Sequence, residues 1–344
     1  MSSRSRPKSS SRATIEDVAR LAGVSTATVS RVINSPSIVA SETEAQVRAA
    51  ITTLKYHPQA AAQVLASNRT NTIGLLLAEI SGDFFSPLLR GIEAEAREAG
   101  FGLLIYATRG GEVEYSAQHL PLGEHNTDGV LVFVGGVPET RLVHLNQIEF
   151  PVVLIHQSPP TGLDIPCVTI ENKLGARKLV DHLIEEHGYR RIAFLTGEAG
   201  HEDSYWREMG YRESLAAHDI PFDPQLIAPG GFDRNEAQNS IEGWLREGLV
   251  FDAVFSGDDE AAIGVLTALN QASKRVPEDV AVVGFDDMEL SRYLIPPLTT
   301  VHAPTEQVGR ESVKQLVQLI RGNRAERLML LPTELVIRRS CGCG

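Results

Sequence analysis

Two hydrophobic rhythms divide this chain. Near its start, apolar residues recur at helical spacing. Val18, Leu21 and Ala22 give one helix an apolar face, and Val29, Val32 and Ile33 give a second. Thr14 is placed to cap the first helix, with Asp17 three residues on to reciprocate. Gly23 breaks that helix and can take the positive φ of a turn. Ser25 caps the second, leaving Thr26, Ala27, Thr28, Ser30 and Arg31 outward. Ser41-Glu-Thr-Glu44 reads as a capping box opening a third helix, with the stripe Val47, Ala50, Ile51 and Leu54. Tyr56-His-Pro58 closes this group, because proline cannot continue a helix and restricts the residue before it. Gln59 to Ala66 favours helix but spans only two turns, marginal in water without packing. Asn68-Arg-Thr-Asn71 is a polar joint.

From Thr72 the rhythm changes. Thr72-Ile-Gly-Leu-Leu-Leu77 is a continuous apolar run, the mark of a strand buried on both faces. Similar runs at 101–106, 129–133 and 152–155 alternate with helical stretches. The pattern restarts at 191–196 and continues through 251–255 and 280–285. Such alternation predicts an α/β body of two doubly wound parallel-sheet lobes, with a ligand cleft at the carboxyl ends of the strands.

Charge sharpens the division. The chain carries 32 Lys/Arg against 44 Asp/Glu, a net of −12. Residues 1–70 hold nine Lys/Arg and four Asp/Glu, a net of +5, while the remaining 274 residues carry −17. A small basic module is joined to a large acidic body, so only the module is drawn to phosphate. Arg4, Arg6, Lys8 and Arg12 lie in a Ser-rich leader, residues 1–12, read as disordered. No apolar run approaches the ~18 residues of a membrane span, and no secretory signal is evident. Three cysteines suit a reducing cytoplasm rather than a disulfide framework. Cys341 and Cys343 are expected in a frayed tail, with no second Cys/His pair placed to complete a metal site. Neither metal nor cofactor is called for.

Small polar residues at the start of the second helix, with an arginine one turn on, suit an element that enters the major groove by its N-terminus. The run Ala13-Thr-Ile-Glu-Asp-Val-Ala-Arg-Leu-Ala-Gly-Val-Ser-Thr-Ala-Thr-Val-Ser-Arg-Val-Ile-Asn34 resembles the headpiece of the lactose/galactose-repressor (LacI/GalR) family of bacterial regulators. Matching marks follow along the chain: Thr72-Ile-Gly-Leu75, Thr127-Asp-Gly-Val130, the stretch from His187 to Gly197, Phe285-Asp286, Leu298-Thr-Thr-Val301 and Ile337-Arg-Arg-Ser340. Pro121 departs from the family pattern, within a helix that is usually uninterrupted.

The resemblance implies a helix-turn-helix headpiece at 13–57, a hinge helix and linker at 58–71, and a periplasmic-binding-protein-like effector and dimerisation domain at 72–344. The chain would cross between lobes near 172, 303 and 332. Thr26, Ala27 and Arg31 match base-reading positions; Thr14, Ser25, Thr28, Ser30 and Asn34 are better placed for phosphates. Leu65 matches the family's intercalating leucine, with Ala62 and Ala66 small enough for close approach to the minor groove. Phe85, Arg207, Phe232, Asp258 and Asp286 match the effector cleft, where aromatic faces with Arg and Asp suit a sugar. Asp259 is expected to be a helix cap, and Trp206 a weaker ligand candidate or a core residue.

No phosphate-binding loop, nucleophile elbow or His-Glu-x-x-His pair is present, so an enzyme is not expected. The expected function is a cytoplasmic, dimeric, sequence-specific repressor of a carbohydrate-utilisation operon, controlled by a small molecule. No heptad helix follows the body, which favours a dimer over a tetramer. A purine co-repressor is the alternative effector. A solute-binding protein without a regulatory role is the alternative class.

Overall fold

The computed structural model describes residues 13–34, 36–56, 69–80, 83–108 and 122–344, without the side chains of Asn34 and Pro36. Contacts divide the chain into two units, 1–70 and 71–344. The expected hinge helix, with Ala62, Leu65 and Ala66, lies outside the described residues, as do the leader and Pro121.

In the first unit, α1 (Ile15–Ala22) opens on a complete capping box. The Thr14 hydroxyl accepts the Asp17 N–H, and the Asp17 carboxylate accepts the Thr14 N–H at 3.0 Å. Gly23 ends the helix at φ +69°, where a side chain would be strained. Ser25 precedes α2 (Thr26–Asn34), and its Oγ accepts the Thr28 N–H at 3.2 Å. α3 (Ser41–Leu54) completes a small core of Val18, Ala19, Val29, Val32, Val47, Ala50 and Tyr56.

Two expectations fail here. Ser41 is the first residue inside α3, not its cap; Ala40 holds the flanking position without a capping bond, and Glu44 pairs with Arg48 at 2.7 Å. Leu21 is 53% exposed. At ~100° per residue it falls about 60° to one side of Val18, while the buried arc turns the other way, through Ala22 to Ala19.

The second unit begins with β1 (Thr72–Leu77), α4 (Phe85–Glu98), β2 (Gly102–Ala107), β3 (Gly129–Phe133), α5 (Glu139–Gln147), β4 (Val152–Ile155) and β5 (Cys167–Ile170). After β5 the chain enters α6 (Asn172–Glu185), β6 (Ile192–Thr196), α7 (Glu202–Ala217), β7 (Ile227–Pro229), α8 (Arg234–Glu247), β8 (Ala253–Phe255), α9 (Asp259–Gln271) and β9 (Ala281–Val283). These make a four-stranded parallel sheet, β7-β6-β8-β9.

β10 (Thr300–His302) then leads into α10 (Thr305–Ile320), which packs along α4. β11 (Leu328–Leu331) pairs with β5 and completes a six-stranded parallel sheet, β11-β5-β4-β3-β1-β2. Finally β12 (Glu334–Val336) pairs antiparallel with β10. The chain thus passes between the lobes three times, at Glu171–Asn172, after His302 and through Thr333.

Backbone-to-backbone packing fixes the first lobe. A Cβ on Gly91 of α4 would lie 2.0 Å from the Glu306 carbonyl oxygen of α10. No helix among the described residues is long and apolar enough to cross a membrane.

The last residues do not fray. The Ser340 carbonyl accepts the Val282 N–H at 3.0 Å, and its hydroxyl accepts the Thr299 N–H at 2.8 Å. Cys341 is fully buried and Cys343 half-buried. Hydrogen bonds to Val282, Pro297 and Thr299 hold the tail against the second lobe.

Candidate functional sites: a helix-turn-helix face and an interlobe cleft

On α2, Thr26, Ala27 and Arg31 are all exposed. Thr28 and Ser30 are half-buried beside them, and the Ser25 and Thr28 hydroxyls lie 2.9 Å apart. Thr14 is exposed, but its N–H and hydroxyl both engage Asp17. The hydrogen bonds from Thr14 hold the Asp17 carboxyl below its ordinary value. The Asn34 side chain lies outside the described residues.

In the body, Phe85, Arg207, Phe232, Asp258 and Asp286 all line one cavity of about 560 Å³ between the lobes. Phe85 opens α4 just past β1, and its ring meets Phe84 at 5.4 Å and Phe133 at 5.2 Å. This aromatic wall belongs to the first lobe. The opposite wall is polar and is organised by Arg207. Its Nη2 donates to Asp286 Oδ1 at 2.9 Å, Nη1 to the Gly257 carbonyl at 2.8 Å, and Nε to Asn172 Oδ1 at 2.9 Å. The guanidinium carbon also lies 3.9 Å from the Phe285 ring centroid. Three of the five N–H groups are thereby engaged, which leaves two donors for a ligand.

Sequence reasoning missed a second layer. The Asn172 amide donates to Asp203 Oδ1 at 2.8 Å, and Asp203 Oδ2 lies 2.8 Å from Nδ1 of buried His156. Burial alone would raise the Asp203 carboxyl; His156 and Arg207 outweigh it and hold it at about 2. His201 stands edge-on to Phe232 at 5.1 Å, and burial pushes its imidazole below the ordinary value. Nε2 of His156 and Nδ1 of His201 are buried with no hydrogen-bond partner among the described residues. Buried polar atoms are normally satisfied, and of these two residues only His201 lines the cavity. The signal for His156 was available, since it directly follows β4 at a strand's carboxyl end.

Asp258 keeps its expected place in the cavity and also takes the cap of α9 expected of Asp259, accepting the Ala261 N–H at 2.8 Å. Asp259 points away, accepting from Ser291 (2.6 Å), Thr300 (2.5 Å) and the Met288 N–H (2.8 Å). Helix α9 starts one residue earlier than the sequence suggested, and that shift moves the cap from Asp259 to Asp258. Burial raises both Asp258 and Asp286; Asp286 adds to the rise at Asp258, while Arg207 offsets part of the rise at Asp286. Trp206 is 39% exposed and bonds Glu202 at 3.2 Å, so it is neither core nor cavity lining. Two further bonds cross the cleft rim, from the Ser158 N–H and hydroxyl to Glu202 at 2.5 and 2.6 Å.

Compared with known proteins, residues 14–59 match the model for bacterial regulatory proteins of the lacI family, and residues 180–341 match a periplasmic binding protein-like domain. The ribose operon repressor of Escherichia coli K12 is 34% identical over 328 residues, covering 95% of this chain and 99% of the relative. The chain belongs to the lacI family. The HTH-type transcriptional repressor PurR of Aliivibrio fischeri MJ11 is likewise 34% identical over 332 residues, covering 95% and 98%. A crystal structure of the Lac repressor dimer bound to operator and the anti-inducer ONPF superposes with a TM-score of 0.82 at 27% identity, covering 96% and 99%. This lacI-family chain is therefore a DNA-binding transcription regulator with an effector-binding body. The headpiece match excludes a solute-binding protein without a regulatory role.

Proposed function

We propose that this chain is a dimeric repressor of a carbohydrate-utilisation operon, acting in the cytoplasm and governed by a neutral sugar in the interlobe cleft. The charge of the cavity carries this reading. Nine acidic side chains line it with the single guanidinium of Arg207, and the lining stays acidic even with Asp258 raised by burial and Glu260 paired to Arg234. Such a lining repels phosphorylated or otherwise anionic effectors. It favours a neutral molecule rich in hydroxyl donors, and the Phe84, Phe85 and Phe133 rings can cover its apolar face. A purine offers fewer donors to so many acceptors. The ribose operon repressor among the relatives supports the same reading.

Thr26, Ala27 and Arg31 would read base edges, with Ser25, Thr28, Ser30, Asn34 and the N-terminal end of α1 at Thr14 set against phosphates. Residues 58–71 would form the hinge, with Leu65 parting a base step between Ala62 and Ala66. A ligand contacting Phe85 on one lobe and Arg207, Phe232, Asp258 and Asp286 on the other favours one closure angle. It shifts the equilibrium only by that difference in affinity.

Calorimetry of the full chain against neutral pentoses, hexoses and disaccharides, with hypoxanthine in parallel, tests the reading. One sugar should bind, and gel shifts should show operator affinity changed by about 1–3 kcal/mol of coupling. Binding of hypoxanthine and no sugar would overturn the sugar assignment.

A further inference from the structure

Outside the cleft, two residues of α6 and its C-terminal turn meet the tail. His182 sits in the last turn of α6, and His187 follows the helix. Across from them lie Cys341 and Cys343, delivered by the hydrogen bonds that Ser340 makes with Val282, Pro297 and Thr299. One ligand atom from each residue can be chosen so that all four lie within 4.8 Å of one another. Cys343 Sγ is 3.7 Å from His182 Nε2 and 3.5 Å from His187 Nε2. We propose that His182, His187, Cys341 and Cys343 form a tetrahedral zinc site that staples the tail to the second lobe.

The dimensions fit. A tetrahedron with Zn–S of ~2.3 Å and Zn–N of ~2.05 Å has an S···N edge of ~3.6 Å. Both observed separations fall at that edge. The donor set is the two-thiolate, two-imidazole combination of structural zinc, and two thiolates cancel the charge of the ion. The surroundings are shaped for it too. The Thr299 hydroxyl donates to Cys341 Sγ at 3.1 Å, a bond that a thiolate accepts more strongly than a thiol. Tyr189 stacks on His187 (5.4 Å, 20°) and donates its hydroxyl to the Cys341 carbonyl at 3.2 Å, fixing one ligand from each side. Gly342, at φ +110°, lets the chain turn between the two cysteines; a Cβ there would press on His187 and Tyr189 at 3.2 Å. His182, His187 and Cys343 are half-buried, so an ion can reach the cluster.

The site needs the full chain, expressed without a C-terminal tag and purified under reducing conditions. After zinc loading and removal of free metal, elemental analysis should find ~1 zinc per chain. Cys343→Ser and His187→Gln should each lose at least nine-tenths of it while keeping the wild-type circular dichroism spectrum. Cobalt titration of the wild type should give the visible bands of tetrahedral thiolate coordination, which needs no variant to fold. Wild type that retains no more zinc than Cys343→Ser, or that shows no cobalt bands, overturns the proposal. So does a Cys341–Cys343 disulfide that persists in reductant and leaves zinc content near zero.

Discussion

Replacing Arg207 with methionine tests whether the cleft is built around a buried cation. The side chain is almost fully buried, and its loss orphans three acceptors: Asn172 Oδ1, the Gly257 carbonyl and Asp286 Oδ1. Asp286 would remain buried near Asp258 with no cation in contact. Breaking a buried pair from one side costs about 3–5 kcal/mol, because a desolvated charge is left behind. At about 2–4 °C per kcal/mol for a domain of this size, the melting temperature should fall by about 6–20 °C. The loss should depend on pH. Burial already raises Asp286, and without the guanidinium it rises further. An acid raised in the fold keeps its stabilisation at low pH and loses it as pH climbs through its folded value. The deficit should therefore shrink in mildly acidic buffer. Arg207→Met combined with Asp286→Asn should recover roughly half, since the orphaned charge is gone. Thermal melts of the full chain at neutral and mildly acidic pH decide it. A drop below about 3 °C, or a double variant no more stable than the single one, would refute the reasoning.

Arg31→Ala should weaken operator binding by about 1–3 kcal/mol and relax preference at one base position in a binding-site selection; uniform weakening over all sequences would assign it to phosphate. Gly91→Ala should cost about 1–3 kcal/mol in denaturant unfolding, because the new methyl meets the Glu306 carbonyl and α4 and α10 must part; an unchanged midpoint would contradict that contact. Burial raises Asp259 to about 7, so its contribution to stability is present in acid and is lost as pH rises from the usual carboxylate range towards 7. Asp259→Asn should flatten that part of the stability profile, and an unaltered slope in pH-resolved melts would count against it.

The central strands were legible because they are buried on both faces, whereas β2 at the sheet edge leaves Leu104 and Ile105 exposed. The runs at 72–77, 129–133 and 152–155 coincide with β1, β3 and β4, where an unbroken apolar stretch has no competing helical reading. The cleft was half legible. Phe85, Phe232, Asp258 and Asp286 follow strands or open helices, Arg207 lies in the second turn of α7, and the five share one cavity. His156 and Asp203 were missed because their meaning comes from a contact between lobes, 47 residues apart in sequence. Asp258 and Asp259 differ by one residue, less than the precision with which a helix start can be read. The tail was the clearest failure. Cys341 and Cys343 stand more than 150 residues from His182 and His187, and only the register of Ser340 against Thr299 brings them together.

The three passages between lobes also set the order in which this protein can be made. The first sheet has β5 ending at Ile170 beside β11 starting at Leu328, so a strand is missing until roughly 160 further residues exist. At about 5–20 residues per second, a ribosome needs roughly ten to thirty seconds to supply them. Through that interval β5 offers an unpaired edge, and the groove on α4 that receives α10 stands open. The second lobe waits longer still, for β12 and Ser340. Neither lobe is a contiguous piece of chain, so neither can finish folding before the other is nearly complete. A nascent body should therefore depend on holding factors late in synthesis, and nonsense mutations even beyond residue 300 should leave neither lobe intact.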